Sequence, residues 1–305
     1  MVVPCYNEAA SIAKVVTDFR RALPGARILV VDNLSNDETA IRAEQAGAEV
    51  LREGRRGKGF ALLRGFEAAR DADLFVMVDG DDTYPAEDVG KLIAATRAGT
   101  EMVIATRLES ADRGALPVAH GFGNALFVLL VRVLFGLRTR DLFSGYRVVT
   151  RRFLDVSPLL SQGFEVESEL SLQALAKGFR VDEVPVRYRA RPGGSKSKLR
   201  TWIDGYRILM AILAFFRDYR PLTFFGMLCA FLMLLSLGVG TFVVSGYLHT
   251  GQVRIPLAVL STGLFILSAL SLTCGVLLSS INRRAAELAA SINWNRVREP
   301  AVDPG

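Results

Sequence analysis

The segment "VMVDGDDTYP", residues 76–85, sets three carboxylates, Asp79, Asp81 and Asp82, directly after the apolar run Leu74 to Val78. Such a run has the length and content of a strand covered on both faces. The end of such a strand is where open α/β sheets take up ligands. Asp79 and Asp81, two positions apart, can turn hard oxygen donors toward one cation, the ligand type that Mg²⁺ and Mn²⁺ prefer. Asp and Gly also form ordinary turns, so an acidic turn is the alternative reading of these residues alone. Other polar groups follow other apolar runs: Asn7 and Glu8 after "MVVPCY", Asp32 and Asn33 after "ARILVVDN". If these strands run parallel, all three sets fall on one rim and make one pocket.

The elements needed to position them are legible between residues 1 and 107. Strands are predicted at "MVVPCY", "ARILVVDN", "AEVLRE", "ADLFVMVDGDD" and "EMVIATR", with helices at about 8–23, "DETAIRAEQAG", "FALLRGFEAAR" and "AEDVGKLIAATRAG" between them. This alternation predicts an α/β fold, a largely parallel sheet with helices on both faces. Only three residues precede Pro4, so the first strand reads as truncated, with the natural start expected a few residues upstream.

The remainder of the chain differs in kind. Half of the 305 residues are hydrophobic, and the excess is concentrated near the end. No Asp, Glu, Lys or Arg occurs from Pro221 to Val253 or from Ile255 to Asn282, each run exceeding the roughly 20 residues that span a bilayer. Two transmembrane helices are therefore expected, with a pair of core helices as the alternative. The net charge of +6 is also localised: residues 187–220 hold nine Lys or Arg against two Asp. A basic block beside a membrane span suits anionic headgroups or phosphate ligands. No recognition motif points to nucleic acid. Leu199, Trp202, Ile203, Tyr206, Leu209, Leu213 and Phe216 recur at helical spacing, which predicts an amphipathic interfacial helix.

Several classes are excluded. Three cysteines make no disulfide framework, and two histidines have no metal-ligand spacing. "GRRGKG", residues 54–59, lacks the spacing of an ATPase phosphate loop, and no G-x-G-x-x-G follows the first strand. The charged, motif-bearing N-terminus is not a signal peptide.

Taken in order, "VVPCYNE", "VVDN", "GKG", "DGDDTYP" and "DLFSGYRVVTRR" resemble glycosyltransferase family 2. With "GGSKSKL" and the apolar hairpin, the sequence is most similar to the polyprenyl-phosphate sugar transferases of the dolichyl-phosphate mannose synthase kind. The resemblance implies a GT-A catalytic domain (Rossmann-like, mostly parallel sheet) over residues 1–198, a juxtamembrane helix over 199–220, a transmembrane hairpin over 221–282 and a cytoplasmic tail over 283–305. It implies inverting transfer of one sugar from a GDP- or UDP-linked donor to a polyprenyl phosphate, with Mg²⁺ or Mn²⁺ as cofactor. The catalytic domain would lie on the cytoplasmic side of a bacterial-type inner membrane, and a homo-oligomer stays open. A processive polysaccharide synthase would add membrane helices and a Q-x-x-R-W motif. A membrane-anchored scaffold that binds nucleotide sugar without turnover is the non-enzymatic alternative.

By the same resemblance Asp79 and Asp81 are the metal ligands and catalytic carboxylates. Pro4, Tyr6, Asn7, Glu8, Asp32 and Lys58, with Asp79, bind the nucleotide. Tyr6 can equally be a core aromatic, and Pro4 a strand punctuator. Ser144, Arg147, Arg191 and Lys198 bind the acceptor phosphate, with His120 and Asn124 beside them. Arg147, Lys198 and Asp141 are also catalytic candidates, Asp141 either orienting the acceptor or accepting a proton. Thr83 stands where relatives often carry Gln, and Gly121 where they commonly carry Arg.

Overall fold

The computed structural model describes residues 1–97, 99–107, 118–135, 140–189, 201–252 and 254–298, without the side chains of 97, 118–125, 201–204, 286 and 288–298. Arg191 and Lys198 lie outside the described residues, as do the side chains of His120 and Asn124. The chain divides into two compact units, Met1–Ile212 and Leu213–Gly305.

The first unit is built on strands β1 (Val2–Cys5), β2 (Leu29–Asp32), β3 (Glu49–Arg52), β4 (Leu74–Met77), β5 (Met102–Thr106), β6 (Arg147–Thr150) and β7 (Val181–Pro185). Helices α1 (Ile12–Ala22), α2 (Thr39–Gln45), α3 (Lys58–Ala68) and α4 (Val89–Arg97) alternate with the first five strands. They are followed by α5 (Val118–Phe135), α6 (Arg151–Val156) and α7 (Val166–Ala176). The strands form one sheet in the order β3-β2-β1-β4-β6-β5-β7. β1, β2, β3 and β4 pair in parallel, as do β5 and β7; β6 alone runs antiparallel, between β4 and β5.

Each face of the sheet is covered, as near-continuous apolar strands require. Ile12, Val16 and Phe19 of α1 pack with Val3, Val30 and Val76 on one side. Ala61, Leu62 and Phe66 of α3 pack with Val2, Leu29, Val31 and Met77 on the other. The two face sets are the alternate residues of the same strands, the period-two signature of a pleated sheet.

The sheet is mostly parallel, as expected, with one reversed member, β6, that the apolar pattern did not show: "RVVT" is short and sits inside a polar motif. One sequence expectation needs correction. The helix expected to begin near Glu8 begins at Ile12, because residues 7–11 are spent on turns that tie β1 to the loop after β2.

Helix α8 (Thr201–Tyr219) precedes two long apolar helices, α9 (Pro221–Thr250) and α10 (Ile255–Arg298). Ile208, Ile212 and Phe216 of α8 are buried while Tyr206, Leu209 and Met210 are exposed. The expected stripe is thus open at Tyr206 and Leu209 and covered at Phe216, with Ile208 and Ile212 also buried. Mean hydropathy reaches 2.4 in α9 and 2.2 in α10, and only 6% and 17% of those windows is buried. That exposure separates them from core helices and suits two membrane spans. α10 continues as helix to Arg298, into the segment read from the sequence as a tail.

Within this second unit α9 and α10 meet through small residues. The Ser236 hydroxyl donates to the Ser261 carbonyl at 2.7 Å and the Ser261 hydroxyl returns a bond to the Ser236 carbonyl at 2.9 Å. Ser271 donates to the Phe225 carbonyl at 3.1 Å. A Cβ on Gly275 would lie 2.9 Å from that of Phe225, whereas one on Gly263 meets nothing within 4 Å. In an apolar solvent, such close backbone approach and hydroxyl bonding hold helices together. Gly275→Leu is therefore expected to destabilise the hairpin by about 1–3 kcal/mol through overpacking, with Gly263→Leu near neutral. Denaturant-induced unfolding in detergent micelles checks the contrast, and equal loss in both variants would refute the seam.

Candidate active site

The strand order puts β2, β1 and β4 side by side, so the residues after Cys5, Asp32 and Met77 share one edge of the sheet. β1 neighbours β4 at the point where the order reverses, the usual ligand crevice of such sheets. β6 adds to the same edge for the opposite reason. Because it is antiparallel, the residues before it, Asp141 to Tyr146, arrive at the rim where the other strands end.

The β1 and β2 loops are tied together. The Asn7 backbone N–H donates to Ser35 Oγ at 2.9 Å, and Asn7 Oδ1 accepts from the Asn36 N–H at 2.8 Å. The Glu8 N–H donates to Thr39 Oγ1 at 2.8 Å. Asp32 is buried and accepts the Ser35 N–H at 3.2 Å. Pro4 is half-buried in β1, paired with Val31. Asn33 secures "GRRGKG": its side-chain amide donates to the Arg55 carbonyl at 2.7 Å and accepts the Gly57 N–H at 2.7 Å. Arg55 turns back on Glu53, whose carboxyl those hydrogen bonds hold down to about 2. Arg56 lies over the Tyr6 ring, 4.7 Å from its centroid, leaving Tyr6 at the rim rather than in the core.

At the end of β4, Lys58 bridges the Asp79 and Glu167 carboxylates. Burial alone would lower the Lys58 ammonium, but the two carboxylates raise it well above the ordinary lysine value. Burial raises Glu167, with Lys58 opposing, and Glu167 Oε2 is buried without a hydrogen-bond partner. Asp81 is buried; its Oδ1 accepts the Thr83 hydroxyl at 2.6 Å and the Thr83 N–H at 3.2 Å. Thr83 thus orients Asp81. Asp82 turns away in a left-handed conformation, φ 58°, and pairs with Lys14 at 2.7 Å.

The segment before β6 closes over Asp79. A Cβ on Gly145 would lie 2.3 Å from Asp79 Oδ2, so only glycine fits there without displacement. The Gly145 N–H donates to the Tyr84 hydroxyl at 3.2 Å, and Ser144 Oγ lies 3.3 Å from that hydroxyl. Burial raises the Tyr84 phenol, which stays neutral. Asp141 is fully buried, with Arg107 Nε and Nη2 on its two oxygens at 2.7 and 2.8 Å.

Arg147 requires the main correction. It is fully buried, and its guanidinium donates to the Ser144 carbonyl at 2.8 Å, the Leu142 carbonyl at 2.8 Å and Ser171 Oγ at 2.7 Å. Burial lowers it to about 10, so it remains a cation. With its donors committed inward, it fastens the 141–146 loop and does not present itself to an acceptor phosphate. Asp141, Ser144 and Arg147 are therefore brought together as a framework. Pro4, Tyr6, Asn7, Glu8, Asp32, Lys58, Asp79 and Asp81 gather at the rim.

The residue that sequence reasoning missed is Glu167. Its signal was available: "EVESEL" puts glutamates into a segment that is otherwise the pattern of a buried helix, and residues 166–174 of α7 are all buried. A carboxylate placed there needs a cation. Among the described residues no group of three or more His, Cys, Asp or Glu forms a closed metal cage. Two carboxylates, Asp79 and Asp81, fit the open mode in which a hard cation keeps positions for substrate phosphates.

Comparison with known proteins identifies the family. Residues 1–154 match the family described as glycosyl transferase family 2. The chain is 35% identical over 227 residues to glycosyltransferase AglJ of Haloferax volcanii, covering 74% of each. It is 32% identical to that organism's dolichyl-phosphate hexose transferase, over 64% of this chain and 85% of the relative. It is 27% identical to the undecaprenyl-phosphate mannosyltransferase of Micrococcus luteus, over 68% and 90%. Glucosyl-3-phosphoglycerate synthase of Mycobacterium tuberculosis, solved with Mn²⁺, UDP-glucose and phosphoglyceric acid, shares the fold. Its TM-score is 0.59 at 23% identity, over 70% of this chain and 78% of that one. The GT-A arrangement expected from the sequence is borne out, and the chain belongs to glycosyl transferase family 2.

Proposed function

We propose that this glycosyltransferase moves a single sugar from a nucleoside-diphosphate donor to a polyprenyl phosphate, with Mg²⁺ or Mn²⁺ as cofactor. The observation that supports it best is the joining of Asp79, Asp81 and Lys58 at one rim, in a chain that also carries two membrane spans. Relatives named for dolichyl and undecaprenyl phosphate support the acceptor, and the neighbour bound to Mn²⁺ and UDP-glucose supports the donor class.

Asp79 and Asp81 would hold the divalent ion, which when bound supplies charge neutralisation to the departing diphosphate. Tyr6, Asn7, Glu8 and Asp32 bind the nucleoside side of the donor, and Lys58 reaches toward the diphosphate. A lipid monophosphate has a second pKa near ~6, so it attacks as a dianion without a general base. That suits a site whose buried Asp141 is already committed to Arg107. The acceptor needs cations that let two anions approach. Arg191 and Lys198 are assigned that role from sequence, with His120 and Asn124 beside them.

Three outcomes are expected. Asp81→Asn lowers turnover by about 10²-fold or more while thermal unfolding stays near wild type, and excess chelator does the same until Mg²⁺ or Mn²⁺ is restored. Full activity in chelator would refute the metal. With labelled GDP- and UDP-sugars and polyprenyl phosphate, one donor places label in the organic phase as a monosaccharide. An α-linked donor gives a β-linked product by NMR, since no residue is proposed as a covalent nucleophile. A polymer would overturn single-sugar transfer, and a retained anomer would overturn single displacement.

The third outcome concerns sidedness. Arg217 and Arg220 precede the first span and Arg283 and Arg284 follow the second, whereas Arg254 alone marks the link between them. The positive-inside rule then places both chain ends in the cytoplasm. In intact cells an impermeant thiol reagent should label Gly251→Cys and leave Ser195→Cys protected; labelling at 195 would reverse the orientation.

A further inference from the structure

Lys58 occupies a position that a metal site ordinarily leaves open. Its ammonium, almost fully buried at 10% side-chain exposure, sits on the carboxylate of Asp79 that is assigned to the divalent ion. The same ammonium touches Glu167, from a different helix, through Oε1. The second oxygen, Oε2, is buried and has no hydrogen-bond partner, an arrangement that is costly for a charged group. The surroundings fix the backbone that carries these groups. The Lys58 flanks are clamped: Gly59 donates to the Gln162 carbonyl at 3.0 Å, and Cβ atoms on Gly57 and Gly59 would collide with the Gln162 and Ser161 carbonyls. Residues 160 and 161 are in turn held by Glu169, which accepts their N–H groups at 2.9 and 2.7 Å. On its other side Asp79 packs against Gly145, where a Cβ would leave it no room.

Two cations cannot share one Asp79 oxygen at close range, because their repulsion in a partly desolvated pocket is several-fold stronger than in water. A metal that takes Asp79 Oδ1, the oxygen Lys58 holds, must therefore dislodge the ammonium, Oδ2 being turned against Gly145. The clamp fixes the backbone from which the Lys58 side chain extends. Beside the Glu167 oxygen that Lys58 already holds, Oε2 is buried and has no hydrogen-bond partner. We propose that Glu167 is a third acidic member of this site, a positioning residue that parks the Lys58 ammonium when a divalent ion displaces it from Asp79. Lys58 is then the counter-ion that Asp79 keeps until a divalent ion takes its place. After exchange the N–H freed from Asp79 is received by Oε2, so Glu167 holds Lys58 with both oxygens. The cation stays beside the metal, where the diphosphate of the donor arrives, and no proton changes hands. This inference rests on the metal assignment at Asp79.

Binding of Mn²⁺ alone to the full-length protein in detergent, read from loss of the free-ion EPR signal, tests it without turnover. Lys58→Met removes the competitor and should tighten Mn²⁺ by at least about tenfold. Glu167→Gln leaves Asp79 as the ammonium's single anionic partner and should weaken Mn²⁺ by about fivefold. In the Lys58→Met background the Glu167→Gln effect should fall below about twofold, because Glu167 acts through Lys58. An undiminished effect there would make Glu167 a direct ligand or a simple field source and overturn the proposal, as would unchanged binding in Lys58→Met. Lys58→Gln serves as a second neutral variant, with thermal unfolding confirming that each folds. A structure of the wild type with Mn²⁺ decides the matter without any variant: Lys58 on both Glu167 oxygens is expected, and Lys58 still on Asp79 refutes it. Absence of any Mn²⁺ uptake by the wild type would instead overturn the metal reading and this inference with it.

Discussion

Two carboxylates, Asp79 and Glu167, face one ammonium in a pocket with little access to water. Buried like charges repel strongly unless a cation lies between them, and much of the chain around the pocket can be traced to this requirement. Lys58 must come from the first turn of α3, which fixes where the "GRRGKG" loop has to end. That loop must pass against residues 161 and 162, so Gly57 and Gly59 leave room that a side chain would fill. Glu167 must come from α7, whose entry is held by Glu169 on two successive N–H groups. Gly145 leaves room for Asp79 from above. Deep behind these groups lies Arg147, a cation whose hydrogen bonds go to two backbone carbonyls, a serine and the Met102 sulfur. It balances acidic charge while staying out of the site.

The reversed strand explains how one rim collects so many segments. In an all-parallel sheet, the residues preceding β6 would lie at the far edge, away from the end of β4. Running antiparallel, β6 delivers Asp141, Ser144 and Gly145 to the rim without a long connection. The Asp141–Arg107 pair then joins that loop to the end of β5 by two hydrogen bonds. A buried pair of this kind adds little net stability, but removing one partner strands the other at a cost of about 3–5 kcal/mol. Its contribution is geometric: it sets the height at which the 141–146 loop crosses over Asp79.

Much of this was legible in the sequence because parallel strands write a simple pattern. Apolar runs of four or five residues, each followed by a polar set, gave β1, β2, β4 and β5 and located Asp32, Asp79 and Asp81 at one edge. The hairpin helices were equally legible, since a charge-free run of that length matches a bilayer and outlasts the buried stretch of most core helices. What escaped was decided by tertiary contacts. "RVVT" is too short to announce a strand, and its direction depends on neighbours far along the chain. Arg147 reads as a site cation by its motif, yet its burial depends on carbonyls that only the folded loop turns toward it. Glu167 is encoded by the contrast between a charged residue and its buried helix, a contrast that becomes informative once α7 is known to be covered on every side.

The strand ends show what such a rim costs. Asn7, Leu34 and Asp82, which follow β1, β2 and β4, all adopt left-handed backbone conformations, with φ of 53°, 64° and 58°. Asn and Asp tolerate that region; a leucine does so at a penalty. These turns bend the chain sharply as it leaves the sheet, so that functional side chains stay at the rim instead of on long loops. The strain is offset by cross-links between the turns: Asn7 to Ser35 and Asn36, Glu8 to Thr39, Asp82 to Lys14. Each link joins residues distant in sequence, so no single turn can relax without releasing its neighbour. A rim braced in this way holds its carboxylates in place before any ligand arrives, which leaves the Lys58 side chain as the part of the acidic cluster free to move.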